Sequence, residues 1–429
     1  MPEEKMHFKD YRSGMLTNGI ERAAHRALLY STGLDREDLG KPMIAVVNSF
    51  TEMVPGHFHL RELADFVKQG IIEAGGIPRE FSTIAICDGI CQGHKGMSYP
   101  LPSRELIADS AEYMIEAHQF DGMVMLPGCD KIVPGMLMAA MRLNIPAIVI
   151  PGGPMLPGKY KDMEAITLTD MRELIGRTQT GRLTEDELMK IEEAALPGVG
   201  TCSMLGTANT MSCLAEALGM SLPGCGLAHA VSAKKRRIAK QSGRRIVAMV
   251  KEDLTPRKIM TREALRNAIR VSMAMGASTN STLHLPAIAH EAGIHITLDD
   301  FDELSREIPY LCNIKPSGQY PLSVLEEQGG VPAVMKALER KLDLEQMTVS
   351  GKTVGENLAG VELVENDVIF SLDHPKKPEG GLAILHGNLA PKGAVVKQAG
   401  VKPSMHYFEG QARVFTSMEE ASWAVSNDK

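Results

Sequence analysis

The sequence predicts an α/β fold with a doubly wound, mostly parallel sheet. Four short apolar runs recur in the first 150 residues, each continuous rather than alternating, and segments with helical spacing separate them. Continuous apolar runs are typical of strands that are buried on both faces of a parallel sheet. The regular alternation of such runs with helices favours the same architecture. The predicted strands are Met43–Val47, Thr83–Ile86, Gly122–Leu126 and Ala147–Ile150.

Helical spacing predicts the elements that connect and cover these strands. Thr184 and Glu187 have the spacing of a capping box, which indicates that a helix begins there. The other predicted helices are Asn18–Tyr30, Leu60–Ala74, Ser103–Ala117, Met136–Leu143, Asn209–Leu218, Ala230–Lys240, Arg262–Ala274, Leu283–Ala292 and Val331–Leu342.

The character of the sequence changes near Met347. We therefore expect an α/β domain over residues 1–347 and an incomplete, β-rich, barrel-like domain over residues 348–429. A final helix is expected between Ser417 and Lys429. The β-like runs of the second domain are 367–371, 382–385, 394–396 and 412–416, and glycine and proline separate them.

Composition and charge exclude several classes of function. The net charge of -7 gives no reason to expect a nucleic-acid partner. No apolar run approaches the length of a membrane span, and the first seven residues are polar, unlike a signal peptide. Seven cysteines are few for 429 residues and odd in number, so we expect a cytoplasmic protein with thiols rather than disulfides.

Residues that can bind a metal follow two of the predicted strands at the point where each strand ends. Asp88 follows the second strand, and Cys129, Asp130 and Lys131 follow the third. Because open parallel sheets bind ligands outside the carboxyl ends of their strands, we expect these side chains at one edge. Two carboxylates there could share a hard cation such as magnesium. Each could also simply cap a turn or a helix.

Cys129 and Cys202 lie in glycine-containing turns before predicted helices. Helix N-termini stabilise thiolates, which are the form that binds iron or zinc. These two cysteines are therefore candidate ligands, although two small buried side chains are the alternative. We interpret the remaining cysteines as buried packing residues: Cys87, Cys91, Cys213, Cys225 and Cys312.

Three other polar side chains leave a structural and a functional interpretation open. His57 and His59 could hold a substrate or a metal, although an isolated His-x-His is more often structural. Lys392, with the backbone of the 387–393 segment, could bind an anion or belong to an ordinary turn.

Several motifs resemble the dihydroxy-acid dehydratase and phosphogluconate dehydratase family. The resemblance runs from about Arg12 to the last residue and is more specific for the family than for its substrate. The segments that carry it are Cys129-Asp-Lys-x-x-Pro-Gly135, Leu385-His-Gly-Asn-Leu-Ala-Pro-Lys-Gly393, Asp88–Met97, Leu101–Glu105, Gly152–Met155 and Gly206–Met211.

The resemblance implies a hydro-lyase that converts 2,3-dihydroxy-3-methyl carboxylic acids to 2-keto acids in valine and isoleucine synthesis, and it implies a homodimer. It also implies that Asp88 and Asp130 bind magnesium together with a carbamylated Lys131, and that Cys129 and Cys202 hold an iron–sulfur cluster. Dehydration of a sugar acid is the nearest alternative. A non-catalytic fragment or a partner-binding protein is an alternative of another class.

Two features depart from the family pattern. Members with three cluster cysteines carry one in a Pro-Cys-Asn-x-His motif, whereas the aligned stretch here is Pro55-Gly-His-Phe-His59. This resembles the branch with an oxygen-labile four-iron cluster, and it leaves both the cluster type and the third ligand open. The Pro-Glu-Met and Gly-Arg-Phe-Ser-Gly segments, which are expected to supply a magnesium-binding Glu and the base Ser, do not occur within these 429 residues. The chain therefore resembles a truncated member, and we expect little or no turnover by residues 1–429.

Overall fold

The structure is a computed structural model that describes residues 11–364 and 366–427. These residues divide into two compact units, which lie within residues 1–399 and 400–429. Every strand formed by the described residues lies in the first unit. The described residues of the second unit contain one α-helix and no strand.

The elements follow in chain order. The strands are β1 (Met43–Asn48), β2 (Ile77–Ser82), β3 (Gly122–Leu126), β4 (Ala147–Val149), β5 (Gly158–Tyr160), β6 (Met163–Ile166), β7 (Ala383–Leu385) and β8 (Ala394–Val396). The helices are α1 (Gly14–Thr17), α2 (Ala23–Ser31), α3 (Leu60–Glu73), α4 (Asp88–Cys91), α5 (Pro100–Ala117), α6 (Ile132–Leu143), α7 (Leu168–Gln179), α8 (Glu185–Ala195), α9 (Thr207–Ala217), α10 (Ala233–Glu252), α11 (Pro256–Ile259), α12 (Arg262–Met275), α13 (Ser281–His290), α14 (Leu298–Glu307), α15 (Leu322–Glu327), α16 (Gly330–Ala337), α17 (Val354–Leu358) and α18 (Met418–Ser426).

The first four strands form a parallel sheet in the order β2-β1-β3-β4. Every residue of β1, β3 and β4 is buried. Since successive side chains of a strand point to opposite faces, both faces of the sheet are covered, and the predicted α/β class is confirmed. The connections β1-α3-β2 and β2-α5-β3 run in opposite directions across the sheet, so the order of the strands reverses between β1 and β3. Ligands bind at such switch points in open α/β sheets.

Helices α3 and α10 cover the sheet and cross each other closely. Two glycines allow this approach. A Cβ on Gly70 would lie 2.1 Å from the carbonyl oxygen of Lys240, and a Cβ on Gly243 would lie 2.2 Å from that of Val67. Helices α5 and α6 also pack against each other, and Gly135 of α6 faces the carbonyl oxygen of Arg104 in α5.

The predicted strand Thr83–Ile86 is wrong. The second strand is β2, which ends at Ser82, and residues 83–87 form a loop without regular secondary structure that leads to Asp88. The difference has a physical reason, because β2 is an edge strand with several half-buried residues. Its sequence therefore lacks the continuous apolar run that marks a strand buried on both faces.

Two of the four β-like runs predicted after Met347 form strands. They pair as the antiparallel hairpin β7–β8. Run 367–371 contributes an isolated bridge between Ile369 and Cys312, and run 412–416 forms no strand. A β-rich, barrel-like domain is therefore not confirmed, and the boundary after Met347 stays a prediction. The last predicted helix is α18, and residues 428–429 of that prediction lie outside the described residues.

No helix within residues 11–364 and 366–427 is both long and apolar enough to cross a membrane.

Candidate functional site

Four loops are tied together at the carboxyl edge of the sheet. After β1, the hydroxyl of Ser49 donates to the carbonyl oxygen of Leu126 at the end of β3, at 2.7 Å. After β4, the Gly152 N–H donates to the Pro127 carbonyl at 2.8 Å. The loop that precedes α9 joins them, because the Gly200 N–H donates to the Pro55 carbonyl at 3.0 Å. Segments from distant parts of the sequence thus form one rim.

His57 positions the turn that carries Cys129. Its Nε2 lies 2.8 Å from the Cys129 backbone nitrogen, and its Nδ1 lies 2.8 Å from the Ser49 carbonyl oxygen. The Cys129 N–H can only donate, so Nε2 accepts and Nδ1 carries the hydrogen. Burial lowers the pKa of His57 to about 4, which leaves the ring neutral at pH 7. Both ring nitrogens are therefore engaged in holding two loops together.

Lys131 bridges the two aspartates predicted from the sequence. Its Nζ lies 3.0 Å from Asp88 Oδ2 and also donates to Asp130 Oδ1. The structure thus brings Asp88, Asp130 and Lys131 together, with both carboxylates against the same cationic group. Burial raises the pKa of Asp130, although the adjacent Lys131 opposes this shift. Asp88 Oδ1 is buried and has no hydrogen-bond partner among the described residues.

The two cysteines predicted as ligands also lie at this rim. Cys129 is buried and Cys202 is half-buried, and their thiols are close enough for charge on one to affect the other. Contact with the Cys87 thiol, followed by burial, raises the pKa of Cys129, and burial raises the pKa of Cys202 to about 11. The expected stabilisation of thiolate by a helix start is therefore outweighed at both residues.

The interpretation of Cys87 as a buried packing residue is wrong. Cys87 is half-buried, and its thiol interacts directly with that of Cys129. The sequence contained a signal for this placement, since Cys87-Asp88 follows β2 much as Cys129-Asp130 follows β3. Cys91 is also half-buried, so the prediction that it is a buried packing residue is wrong as well. The remaining three cysteines are buried, as predicted: Cys213, Cys225 and Cys312.

His284 was not among the residues predicted from the sequence. This fully buried side chain of α13 places Nε2 4.0 Å from Asp130 Oδ1. Its Nδ1 lies 3.1 Å from Nη1 of Arg104, which is also buried. Burial first, and then the positive charges of Lys131 and Arg104, lower the pKa of His284 to about 3. Arg104 lies in the Leu101–Glu105 motif, but no sequence pattern connects that motif with a histidine 180 positions further along the chain.

The other two predicted polar residues have different surroundings. His59 Nε2 lies 2.9 Å from the Gly152 carbonyl oxygen, and its buried Nδ1 has no hydrogen-bond partner among the described residues. Lys392 is exposed in the turn between β7 and β8.

Gly56, where the sequence departs from the three-cysteine motif, borders the Cys129 thiol. A Cβ at this position would lie 2.7 Å from Cys129 Sγ and 3.2 Å from Thr201 Cγ2. A larger residue here therefore requires Cys129 to shift, and Gly56 itself offers no ligand atom from its side chain.

The chemistry of this donor set suits the two implied cofactors. No three His, Cys, Asp or Glu side chains in the described ranges are grouped so as to hold a single metal ion. Magnesium, however, usually retains several waters and needs only one or two protein carboxylates. The Asp88 Oδ1 atom, which has no hydrogen-bond partner among the described residues, is available as such a ligand. Iron–sulfur clusters are held by cysteine thiolates, so the rim offers the right ligand atoms for both groups.

Comparison with known proteins shows the family. The chain belongs to the dihydroxy-acid/6-phosphogluconate dehydratase family, whose N-terminal model matches residues 41–357 and whose C-terminal model matches residues 367–429. The resemblance found in the motifs is thus confirmed, and the family relationship supports an enzyme of the dehydratase class.

Individual relatives are similar over almost the whole chain. A dihydroxy-acid dehydratase of Methanosarcina barkeri is 54% identical over 414 residues, which are 96% of this chain and 75% of that protein. One from Methanothermobacter thermautotrophicus is 54% identical over 415 residues, again 96% and 75%. One from Halothermothrix orenii is 52% identical over 417 residues, or 97% and 76%.

Proposed function

We propose that this protein dehydrates 2,3-dihydroxy-3-methyl carboxylic acids to 2-keto acids in valine and isoleucine synthesis, as a cytoplasmic homodimer. The observation that carries the proposal is the convergence of Asp88, Asp130 and Lys131 with two thiols on one rim. More than half of the aligned residues are identical to those of dihydroxy-acid dehydratases from several organisms, which supports this substrate class over a sugar acid.

Each group of side chains has a proposed cofactor. Asp88, Asp130 and the carbamate of Lys131 would hold magnesium, while Cys129 and Cys202 would hold an iron–sulfur cluster. The carbamate forms when the neutral Lys131 amine adds carbon dioxide and releases a proton, and it replaces the ammonium between the aspartates with an anionic oxygen donor. When bound, these groups would supply a Lewis acid for the departing hydroxyl and a counter-ion for the substrate carboxylate.

The chain's own residues orient these donors. His57 fixes the Cys129 turn against the loop after β1, and the rim hydrogen bonds hold the Cys202 loop beside it. The reaction also needs a base that removes the carbon-bound proton as the neighbouring hydroxyl leaves. His57 is not this base, because Nε2 accepts from the backbone and Nδ1 already carries its hydrogen. We assign no base among the described residues.

The cluster assignment is tested by iron and sulfide analysis after anaerobic reconstitution. We expect the protein to take up iron, and we expect Cys129→Ser and Cys202→Ser each to lose most of it. Cys87→Ser should also lower uptake, because its thiol is in direct contact with that of Cys129. Cys91→Ser, at a half-buried position in α4, is the matched control and should retain the cluster. Unchanged iron content in both Cys129→Ser and Cys202→Ser would overturn the assignment.

The substrate assignment is tested by release of 2-keto acid under anaerobic, magnesium-replete conditions. A branched dihydroxy acid and a sugar acid are compared on the same reconstituted protein. We expect the branched acid to be converted in preference to the sugar acid, because more than half of the aligned residues are identical to those of dihydroxy-acid dehydratases. Preference for the sugar acid would overturn the proposed substrate. Absence of turnover of both acids would favour the non-catalytic alternative.

A further inference from the structure

His284 is a neutral hydrogen-bond donor that faces the proposed magnesium site. The ring is completely buried in α13, and Arg104 Nη1 lies 3.1 Å from its Nδ1. A guanidinium group can only donate, so Nδ1 accepts and the ring hydrogen lies on Nε2. The tautomer is therefore set by Arg104, whose own Nε donates to Glu105 Oε1 at 3.1 Å.

The Nε2–H of His284 has no hydrogen-bond acceptor among the described residues. It is buried and makes no hydrogen bond with any described residue, while Asp130 Oδ1 lies 4.0 Å away. Leaving a buried donor unpaired is costly, and buried polar groups in native proteins are almost always paired. A small rotation of the Asp130 side chain would close this gap to the roughly 3 Å of a hydrogen bond.

Asp130 has the capacity for this additional bond. Its carboxylate interacts with Lys131 and with the Thr207 hydroxyl, and a carboxylate offers about four lone-pair sites. Carboxylates that bind a metal are usually hydrogen-bonded on their remaining lone pairs, which fixes their orientation. Before carbamylation, the Lys131 ammonium competes with a cation for the Asp130 oxygens, whereas the neutral His284 N–H orients them without adding positive charge.

We propose that His284 is a positioning residue that donates its Nε2 hydrogen to Asp130 and orients this carboxylate for the divalent cation. The inference rests on the proposed function. It adds to the site a chain of contacts, Glu105–Arg104–His284–Asp130, that runs from α5 through α13 to the turn before α6.

Two amide variants of His284 distinguish loss of the Nε2 hydrogen-bond donor from a general effect on folding. The amide of His284→Asn can occupy the position of Nδ1 and pair with Arg104, but it places no donor at the position of Nε2. The longer His284→Gln places its amide nitrogen near that position. His290→Asn, at the exposed end of the same helix, is the matched control. Manganese(II) serves as an EPR-visible probe for magnesium, and its dissociation constant is measured on the full chain without cluster reconstitution.

We expect His284→Asn to bind manganese about 10 to 100 times more weakly than the unaltered protein, the range typical for loss of an outer-shell partner. His284→Gln should bind within a few-fold of the unaltered protein, as should His290→Asn. Thermal unfolding followed by circular dichroism checks that each variant is folded.

The outcomes distinguish this inference from the function on which it rests. If the unaltered protein does not bind manganese, or if Asp130→Asn binds as well as the unaltered protein, the proposed magnesium site fails and the inference fails with it. If Asp130→Asn abolishes binding while His284→Asn binds normally, the site stands and the role of His284 is overturned. Equal weakening in the Asn and Gln variants would also overturn it, because the donor would then not be the feature that matters.

Discussion

At the scale of single residues, the rim depends on a buried histidine whose two ring nitrogens are both hydrogen-bonded. His57 is buried and neutral, and it links the backbone of Cys129 with that of Ser49. The cost of burying a polar ring is offset because both nitrogens are hydrogen-bonded. From the sequence, His57 could have been a substrate or metal ligand. In the structure it instead links the loops that follow two strands.

This role predicts a loss of stability when the ring is removed. His57→Ala leaves the Cys129 N–H without its acceptor and opens a cavity, so the free energy of unfolding should fall by about 2–4 kcal/mol. Urea denaturation followed by circular dichroism measures the change. His25→Ala, at an exposed position in α2, should differ from the unaltered protein by about 0.5 kcal/mol or less. Equal stability of the two variants would contradict the bracing role.

At the scale of elements, an ion-pair network links the end of α13 to α5 and α6. The Arg142 guanidinium, near the end of α6, pairs with Glu291 just beyond α13 and with Asp109 and Glu112 of α5. Pairing with Glu291 is the largest of several contacts that raise the pKa of Arg142, so the charge is retained. These contacts join α5 and α13, which carry Arg104 and His284, to α6, which begins just after Asp130, and they help to fix the spacing of the rim.

The crossing of α3 and α10 predicts a strong effect of a single methyl group. Gly243→Ala would place a Cβ 2.2 Å from the Val67 carbonyl oxygen, so the helices must separate. We expect the free energy of unfolding to fall by about 1–3 kcal/mol, as for other overpacked cores. Denaturation in urea measures it.

The chain offers a matched control for this substitution. Gly176 lies within α7, and a Cβ there would meet no atom within 4 Å. Gly176→Ala should therefore stabilise the protein by about 0.5–1 kcal/mol, because alanine favours the helix and restricts the unfolded chain. A loss of stability in both variants would show that helix spacing is not the cause.

At the scale of the whole molecule, the sequence predicts what is local and misses what depends on tertiary structure. The apolar runs at 43–47, 122–126 and 147–150 predict strands correctly because a strand that is buried on both faces needs consecutive apolar residues. The edge strand β2 has no continuous apolar run and was therefore not predicted. Sheet topology then brings Asp88 and Asp130 together, as expected for residues at strand ends.

The partners of those residues could not be predicted in the same way. His284 approaches Asp130 through the packing of α13, and no spacing in the sequence encodes that contact. The raised pKa of Cys129 likewise follows from its contact with the Cys87 thiol and then from burial, and that of Cys202 follows from burial. A turn motif reveals neither. After Met347 the opposite error occurs. Runs 367–371 and 412–416 have β propensity, but neither pairs with a neighbouring segment to form a strand.

A buried carboxylate predicts how the stability of the molecule depends on pH. Glu216 of α9 accepts hydrogen bonds from the Gly224 and Gly226 backbone N–H groups at 2.6 and 2.7 Å. Burial raises its pKa from 4.5 to about 7, although these bonds and the nearby Lys235 and Lys234 oppose the shift. Between about pH 5 and pH 7 the folded state therefore holds a proton that the unfolded state has lost. Folding is favoured by this proton, so the free energy of unfolding should decrease as the pH rises through that window and level off above it.

Glu216→Gln removes this titration and should flatten the pH dependence. One pKa unit corresponds to about 1.4 kcal/mol, so the loss of stability between pH 5 and pH 8 should be smaller in the variant by up to about 3 kcal/mol. Urea denaturation at both pH values measures the two losses. Other titrating groups contribute equally to both proteins and cancel in the difference. Glu193→Gln, at an exposed position in α8, should keep the full pH dependence. Parallel losses in Glu216→Gln and the unaltered protein would mean that Glu216 remains ionised in the folded molecule, with its two backbone donors and neighbouring lysines outweighing its burial.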